Sequence, residues 1–552
     1  MTPEELSKII KESLESLIAA GKLEISQSPE IKIERPKNKE HGDYSCNIAL
    51  VVAKPVGKNP RDIAQLFVDK LGANPSIKKI EIAGPGFLNF TLESKSMGEV
   101  AKTILQQADQ YGHTNSFNGE TINIEFISAN PTGPLHLGHT RWAAVGDALA
   151  RVLAASGAKV VKEFYINDRG AQIDKFGISI CAAANNEPIP EDGYHGAYVK
   201  ELASEITKDK PQILKLSKQE QEIEFREEGY KRQLKQQQLV LKDFRTIFDV
   251  WYSERSLHSS GAVEKGLSKL KKYGHVFEKD GATWLKTTDF GDDKDRVLVK
   301  ADGEYTYFAS DTAYYVDKRS RGFEVNIYLL GADHHGYVNR LRAVAACAGD
   351  NPDKNVEVLI GQLVKMLKNG QEVRLSKRAG NIITLEDLVD EVGVDAARYT
   401  LIRYPVNTSI TLDIDLLTSH TNDNPVFYVQ YAHARISAVL RAANEKKIDW
   451  QKSSFNPAAL VMQQETELLG ALSEFPRVVA SSAQLREPHR VARYLEELAT
   501  AYHSFYSSCR VLPLIGEDVT DETIARLMLC AATQQVLKNG LSLLGVSAPE
   551  KM

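Results

Sequence analysis

Two histidines three residues apart mark the stretch of this chain best suited to chemistry. His136-Leu-Gly-His139 follows a strand-like run, Thr121-Ile-Asn-Ile-Glu-Phe-Ile-Ser, and a sharply turning loop, Ala129-Asn-Pro-Thr-Gly-Pro. After it, Trp142, Ala143, Val145, Leu149, Val152 and Leu153 recur at helical spacing. The pattern predicts a helix whose first turn carries both imidazoles. Free amides and the positive dipole end make a helix start an anion site, and the rings add donors aimed the same way. Gly138 removes a side chain, so a flat base or a phosphate can approach the backbone. Such a device suits a nucleoside triphosphate attacked at its α-phosphate. Alone, the pattern is short enough to belong to an ordinary capped helix.

A second cluster lies far downstream. Lys365 to Val373 reads as a hairpin turning at Asn369-Gly370, followed by Arg374-Leu-Ser-Lys-Arg-Ala-Gly380. Thr384-Leu-Glu-Asp387 then starts a helix with a capping box. A loop carrying Ser376, Lys377 and Arg378 can close over a triphosphate and neutralise the charge growing on pyrophosphate. Gly331-Ala-Asp333 follows the strand-like Val325–Leu330, where a small residue and an acid fit adenosine, the acid accepting from a ribose hydroxyl. His334 and His335 could pair on a metal, but nothing at ligand spacing completes a site, so no metal centre is expected.

The elements that must hold these groups are legible as three regions. The chain has 552 residues, enough for several domains, and a net charge of −5 with pI near 6.3. Any polyanion must therefore meet local patches. The five scattered cysteines argue against a disulfide framework or a four-thiolate zinc site and fit a reducing cytoplasm. No apolar run reaches membrane-span length, and the start lacks a secretory signal. The first 115 or so residues mix an amphipathic helix (Leu6, Ile9, Ile10, Leu14) with short strands, before a polar linker at Tyr111–Gly119. From Thr121 to about Asp415 strands and helices alternate, as in a parallel sheet covered on both faces, around a charged helical stretch, Ala197–Phe248. After about Asn422 the periodicity is helical throughout, a bundle.

With these residues in view, the chain resembles the class I aminoacyl-tRNA synthetases. His136-Leu-Gly-His139 is similar to their HIGH signature and Arg374-Leu-Ser-Lys-Arg378 to a variant of their KMSKS loop, with Arg374, Leu375 and Arg378 departing from it. Within that class it resembles the bacterial arginyl-tRNA synthetases over essentially its whole length. The extended Ala129–His139 motif, His41-Gly-Asp-Tyr, Gly331–Tyr337 and Tyr428-Val-Gln-Tyr-Ala-His-Ala-Arg435 carry that likeness in order. The resemblance implies an α/β, Rossmann-type parallel-sheet catalytic domain over 116–420, with a helical insertion at about 180–300. It also implies an α+β N-terminal domain on the tRNA D-loop side, 1–115, and an all-α anticodon-binding bundle, 421–552.

It further implies a set of roles. His136, His139 and Lys377 are expected to be catalytic. ATP, with Mg²⁺ on its phosphates, is expected at Pro131, Gly133, His136, Gly138, His139, Gly331, Asp333, Ser376, Lys377 and Arg378. A guanidinium needs a fixed carboxylate, and Tyr307 and Asp311, four apart, match the family pair that holds it. Glu125 and Asn130 match ligands of the substrate's α-amino end, and Asp168 and Gln172 are expected to shape the same pocket. For tRNA(Arg), Phe87 and Asn89 share one strand face and could stack and bond an unpaired base, as matching residues do in some relatives. Arg435 belongs to the anticodon segment, a role resting on resemblance because charges after residue 420 nearly cancel. The basic run Lys32, Arg35, Lys37, Lys39 could hold phosphates. The expected enzyme is a cytoplasmic monomer that joins L-arginine to tRNA through arginyl-adenylate. A small-molecule nucleotidyltransferase and an inactive tRNA-binding paralogue are the alternatives.

Overall fold

Five parallel strands form the centre of the molecule: β1 (Thr121–Glu125), β2 (Lys159–Ile166), β3 (Val250–Ser253), β4 (Val325–Gly331) and β5 (Val356–Gly361). Their spatial order is β5-β4-β1-β2-β3. The order reverses between β1 and β4, so the crevice beyond the carboxyl ends of those two strands is the natural ligand site. The computed structural model describes residues 1–25, 28–36, 41–334, 336–373 and 383–552. The expected phosphate loop, with Arg374, Ser376, Lys377 and Arg378, lies outside the described residues, as do Lys37, Lys39 and His335.

Helix α1 (Leu137–Ala155) leads from β1 to β2 and is buried along most of its length, Arg141 and Asp147 included. Between β2 and β3 come α2 (Ala171–Ala184), a helix at Ala197–Asp209 and α3 (Lys218–Asp243), which Ser217 and Glu220 start with a capping box. The expected single insertion over 180–300 is divided. β3 returns to the sheet edge within it, where Trp251 stacks on Phe164 at 4.5 Å, and a three-stranded antiparallel piece (residues 276–299) forms a separate excursion. Helix α4 (Tyr307–Ser320) then precedes β4.

The hairpin expected at Asn369-Gly370 joins Val364–Lys368 to Gln371–Glu372, and both turn residues have positive φ, 52° and 69°. That is the turn an Asn-Gly pair favours. Helix α5 (Leu385–Ile402) follows, and the C-terminal region is helical, with α6 (Pro425–Glu445), α7 (His489–Ser508) and α8 (Asp521–Leu543) among its members.

The N-terminal region is an antiparallel four-stranded sheet with helices, in the order Ile33–Glu34, Tyr44–Cys46, Phe87–Leu92, Ile77–Ala83. It docks on the bundle: Tyr44 Oη lies 2.7 Å from Ser473 Oγ, and Tyr111 Oη donates to the Leu472 carbonyl. The expected linker therefore begins as a fixed contact. Tyr111 is buried against Phe475, and Asn539 of α8 donates to the carbonyls of Ala108 and Tyr111. A knot ties the middle to the bundle. Arg398, fully buried, donates to Asp147 at 2.7 Å, to the carbonyls of Phe244 and Leu544, and to Thr246 Oγ1.

Candidate active site

His136 is the N-cap of α1, not a residue of its first turn. Its Nδ1 accepts from the Gly138 amide at 3.1 Å, while its own amide donates to His139 Nδ1 at 3.2 Å, so two imidazoles form a capping box. Their rings face each other at 3.8 Å. A ring nitrogen that accepts an amide proton carries none itself, so each neutral ring is protonated at Nε2. The backbone thus fixes the tautomer of each neutral ring.

The expected anion site of free amides is not what forms. Leu137 N–H donates to the Ile383 carbonyl, Gly138 N–H to His136 Nδ1, and His139 N–H to the His136 carbonyl. The helix start still supplies its dipole, but direct donation falls to the imidazoles. Gly138 also differs from expectation. A Cβ there would meet the His136 ring at 3.0 Å, so its missing side chain makes room for that ring.

The downstream cluster meets this helix start. His136 and Thr384 form an antiparallel bridge, and Leu385 N–H donates to the Leu135 carbonyl at 2.8 Å. Thr384 caps α5, its Oγ1 accepting from the Asp387 amide while Asp387 accepts from the Thr384 amide. Ile383, Thr384 and Leu385, which open α5, therefore meet the chain at Leu135–Leu137. Arg141, unremarked in the sequence, donates to the carbonyls of Gln362, Pro405 and Thr408, and burial pulls its pKa down to about 10.

A cluster of acidic side chains is built from the sheet ends and α4. Glu125 ends β1 and lies in register with Glu163 of β2 and Tyr328 of β4, on one sheet face. Its Oε2 accepts from Lys318 Nζ at 2.6 Å and its Oε1 from Ser128 Oγ at 3.1 Å. Asp311, half-buried on α4, bonds the Tyr337 hydroxyl. Burial, with Glu125 adding repulsion, pushes its carboxyl up to about 6. Glu254, just after β3, is buried and bonds the Tyr165 hydroxyl. Burial and then repulsion from Asp311 raise it to about 7, against the pull of Arg169. Tyr165 is itself pushed far up by burial and by Glu254, Asp311, Glu125 and Asp168. Of these carboxyls, Glu254 bonds the hydroxyl directly.

Glu254 was not among the expected residues. Only recognition of Val250–Ser253 as a strand would have placed it, since acids at strand carboxyl ends face the ligand crevice. Tyr307 is exposed, with its hydroxyl against Gly170 at the start of α2. Asn130 and Gln172 are brought together, the first donating to the second. Buried Gln237 of α3 donates to the carbonyls of Asn130 and Gly133, and Tyr198 donates to that of Thr132, so the helical excursion holds this loop. Pro131 is buried in the same turn.

Asp168, expected to shape the pocket with Gln172, is held by partners of its own. It is buried, and its carboxylate already accepts from Tyr230 Oη, Ser253 Oγ and the Arg255 amide. It positions the end of β3 and adds charge from behind. On the nucleotide side Gly331 closes β4 and Ala332–His334 makes a 3₁₀ turn; the Asp333 side chain lies outside the described residues. Among the described residues no group of three or more His, Cys, Asp or Glu could hold a metal ion.

Two surfaces face outward. Phe87 is 38% exposed and so is not core, whereas Asn89 is 6% exposed and covered. The expected ring-and-amide pair thus offers only its ring. On α6 the Arg435 guanidinium lies 4.7 Å from the Tyr431 ring centre and 5.2 Å from that of Tyr506. Burial, with Arg435 beside it, lowers His503 to about 4, so this ring is neutral. No helix among the described residues is long and apolar enough to cross a membrane.

Known proteins match along the whole length. Residues 4–92 match the arginyl tRNA synthetase N terminal domain, 100–408 the catalytic domain of tRNA synthetases class I (R), and 429–552 the DALR anticodon binding domain. The chain is 52% identical to the arginine–tRNA ligase of Kineococcus radiotolerans and 53% to that of Renibacterium salmoninarum, covering 100% of both chains in each case. The arginyl-tRNA synthetase of Thermus thermophilus shares the fold, with a TM-score of 0.78 at 22% identity over 100% of both chains.

Proposed function

Because the chain belongs to the arginyl-tRNA synthetase family and is an arginine–tRNA ligase, we propose how its residues divide the work. Arginine lies with its guanidinium toward Asp311, Glu254 and Tyr307 and its ammonium toward Glu125 and Asn130, with Gln172 behind Asn130. Adenosine lies against Gly331 and Asp333, and the triphosphate over the Nε2–H donors of His136 and His139, along the Pro131–Gly133 turn. Mg²⁺ arrives on that triphosphate and shields its charge. The substrate carboxylate attacks the α-phosphorus in line, and the bond to pyrophosphate breaks. Ser376, Lys377 and Arg378 take up the charge growing on the leaving group, and Arg374 keeps a charge where a lysine is usual. The arginyl group then passes to a terminal ribose hydroxyl of tRNA(Arg), and AMP leaves. Positioning and charge stabilisation carry the rate, with no covalent enzyme intermediate.

The carrying observation is the acidic set around Tyr165, with Glu254 bonding its hydroxyl and Asp311, Glu125 and Asp168 near enough to act on it. A pocket of that sign suits a substrate with two cationic ends. Regions 1–115, 116–420 and 421–552 serve the D-loop side, catalysis and the anticodon, with Phe87 and the Arg435 cluster meeting tRNA. The chain works as a cytoplasmic monomer; its five buried free cysteines fit a reducing compartment.

Pyrophosphate exchange with each amino acid, with and without tRNA(Arg), tests the reading. Exchange should require arginine and tRNA together; equal exchange with lysine or citrulline would sink it. Asp311→Asn should raise the arginine KM strongly, spare that for ATP, and narrow discrimination against neutral citrulline, because a buried charge no longer goes unpaired.

A further inference from the structure

Helix α4 carries Tyr307, Asp311, Tyr314, Lys318 and, at its C-cap, Arg321, at spacings of four, three, four and three. That is one stripe of a helix. Its last turns settle on two carboxylates that sit side by side on β1 and β2. Lys318 bonds Glu125, Arg321 bonds both oxygens of Glu163, and Tyr314 donates to Glu163 as well. Lys318 is fully buried. Its ammonium has the faces of Tyr314 and Tyr328 at 4.6 and 4.2 Å, with Glu125 as its ion-pair partner. Seating a cation so deeply is expensive, and stability alone does not favour it over an apolar residue.

The stripe suggests what the cation is for. Asp311 and Lys318 are seven residues apart, about 10 Å along one rigid helix. The first bears the carboxylate assigned to the guanidinium, the second grips the carboxylate assigned to the ammonium. We infer that Lys318 is a positioning residue that locks Glu125 at a set distance from Asp311, so that α4 serves as a ruler for the length of a guanidino amino acid. This rests on the reading that Glu125 and Asp311 meet the two ends of arginine. A longer substrate fits only if Glu125 gives way, and Lys318 prevents that.

The test is aminoacylation of tRNA(Arg) by the full chain with arginine and with homoarginine, one methylene longer. Lys318→Met should raise the arginine KM about tenfold, change kcat less, and narrow the arginine-to-homoarginine preference in kcat/KM about tenfold, within the range a methylene normally commands. Glu125→Gln should raise the arginine KM; if it does not, the underlying assignment fails and the ruler with it. If Glu125→Gln acts but Lys318→Met leaves KM and preference at wild-type values, the ruler alone is overturned. A fall in kcat with the preference unchanged means that Lys318 merely supports the fold, and also overturns it. Should Lys318→Met not fold, Lys318→Gln and the charge-balanced double variant Glu125→Gln/Lys318→Met decide. The double should match Glu125→Gln alone, since Lys318 acts through Glu125; multiplied losses reject the proposal.

Discussion

Carboxyls held near 6 and 7 in a pocket built for a cation couple binding to protons. Asp311 and Glu254 start from ordinary values of 3.8 and 4.5; burial raises both, with repulsion from Glu125 adding at Asp311 and repulsion from Asp311 adding at Glu254. A bound guanidinium favours their charged forms, so arginine binding releases protons. The arginine KM should therefore rise as pH falls from 8 to 6, and Glu254→Gln should flatten the upper part of that rise. Folding responds with the opposite sign. The folded protein holds these protons more tightly than the unfolded chain, so the two groups add stability as pH falls through 7. Thermal melting from pH 8 to 5.5 should show the arginine-induced shift shrinking as that contribution to apo stability grows. At the helix start, His136→Ala loses a phosphate donor and a cap. Pyrophosphate exchange should fall by about one to three orders of magnitude, with about 1 kcal/mol of stability lost.

The antiparallel bridge between His136 and Thr384 joins two elements that each announce themselves locally. Thr384→Ala should cost about 1 kcal/mol in urea unfolding as its cap is lost. It should also slow pyrophosphate exchange with the arginine KM unchanged, because Thr384 bridges His136 at the start of α1. A histidine pair before a helical run, an Asn-Gly turn between apolar runs, and Thr384 three residues before Asp387 were all legible, because neighbours in sequence create them. Long-range effects were not. β3 is a strand because β2 pairs with it and Trp251 stacks on Phe164, and Glu254 was missed with it. The Leu137 amide looked free because its partner, the Ile383 carbonyl, is far away in sequence. Lys318 carries no local signal of its place, because its partner, Glu125, lies on β1.

Across the whole molecule, the three regions meet through specific polar contacts. Phe87, exposed at the start of its strand, should act on tRNA alone: Phe87→Ala is expected to raise the tRNA KM severalfold and spare those for arginine and ATP. The knot at Arg398 has a different reach. Arg398→Leu strips Asp147 of its fully buried partner and should cost about 3 kcal/mol, read as a lower urea midpoint for the catalytic region and bundle together. The same knot bears on how the chain closes as it is made. A ribosome that has delivered residues 116–420 has delivered the groups named in arginine activation. Yet Asp147, on the helix that His136 caps, waits on a guanidinium that completes its bonding only at the carbonyl of Leu544. Arg398 already reaches Asp147, Phe244 and Thr246 inside that region, so a nascent catalytic region should close around Asp147 with one buried N–H still unmet, and emergence of the last helix should supply it.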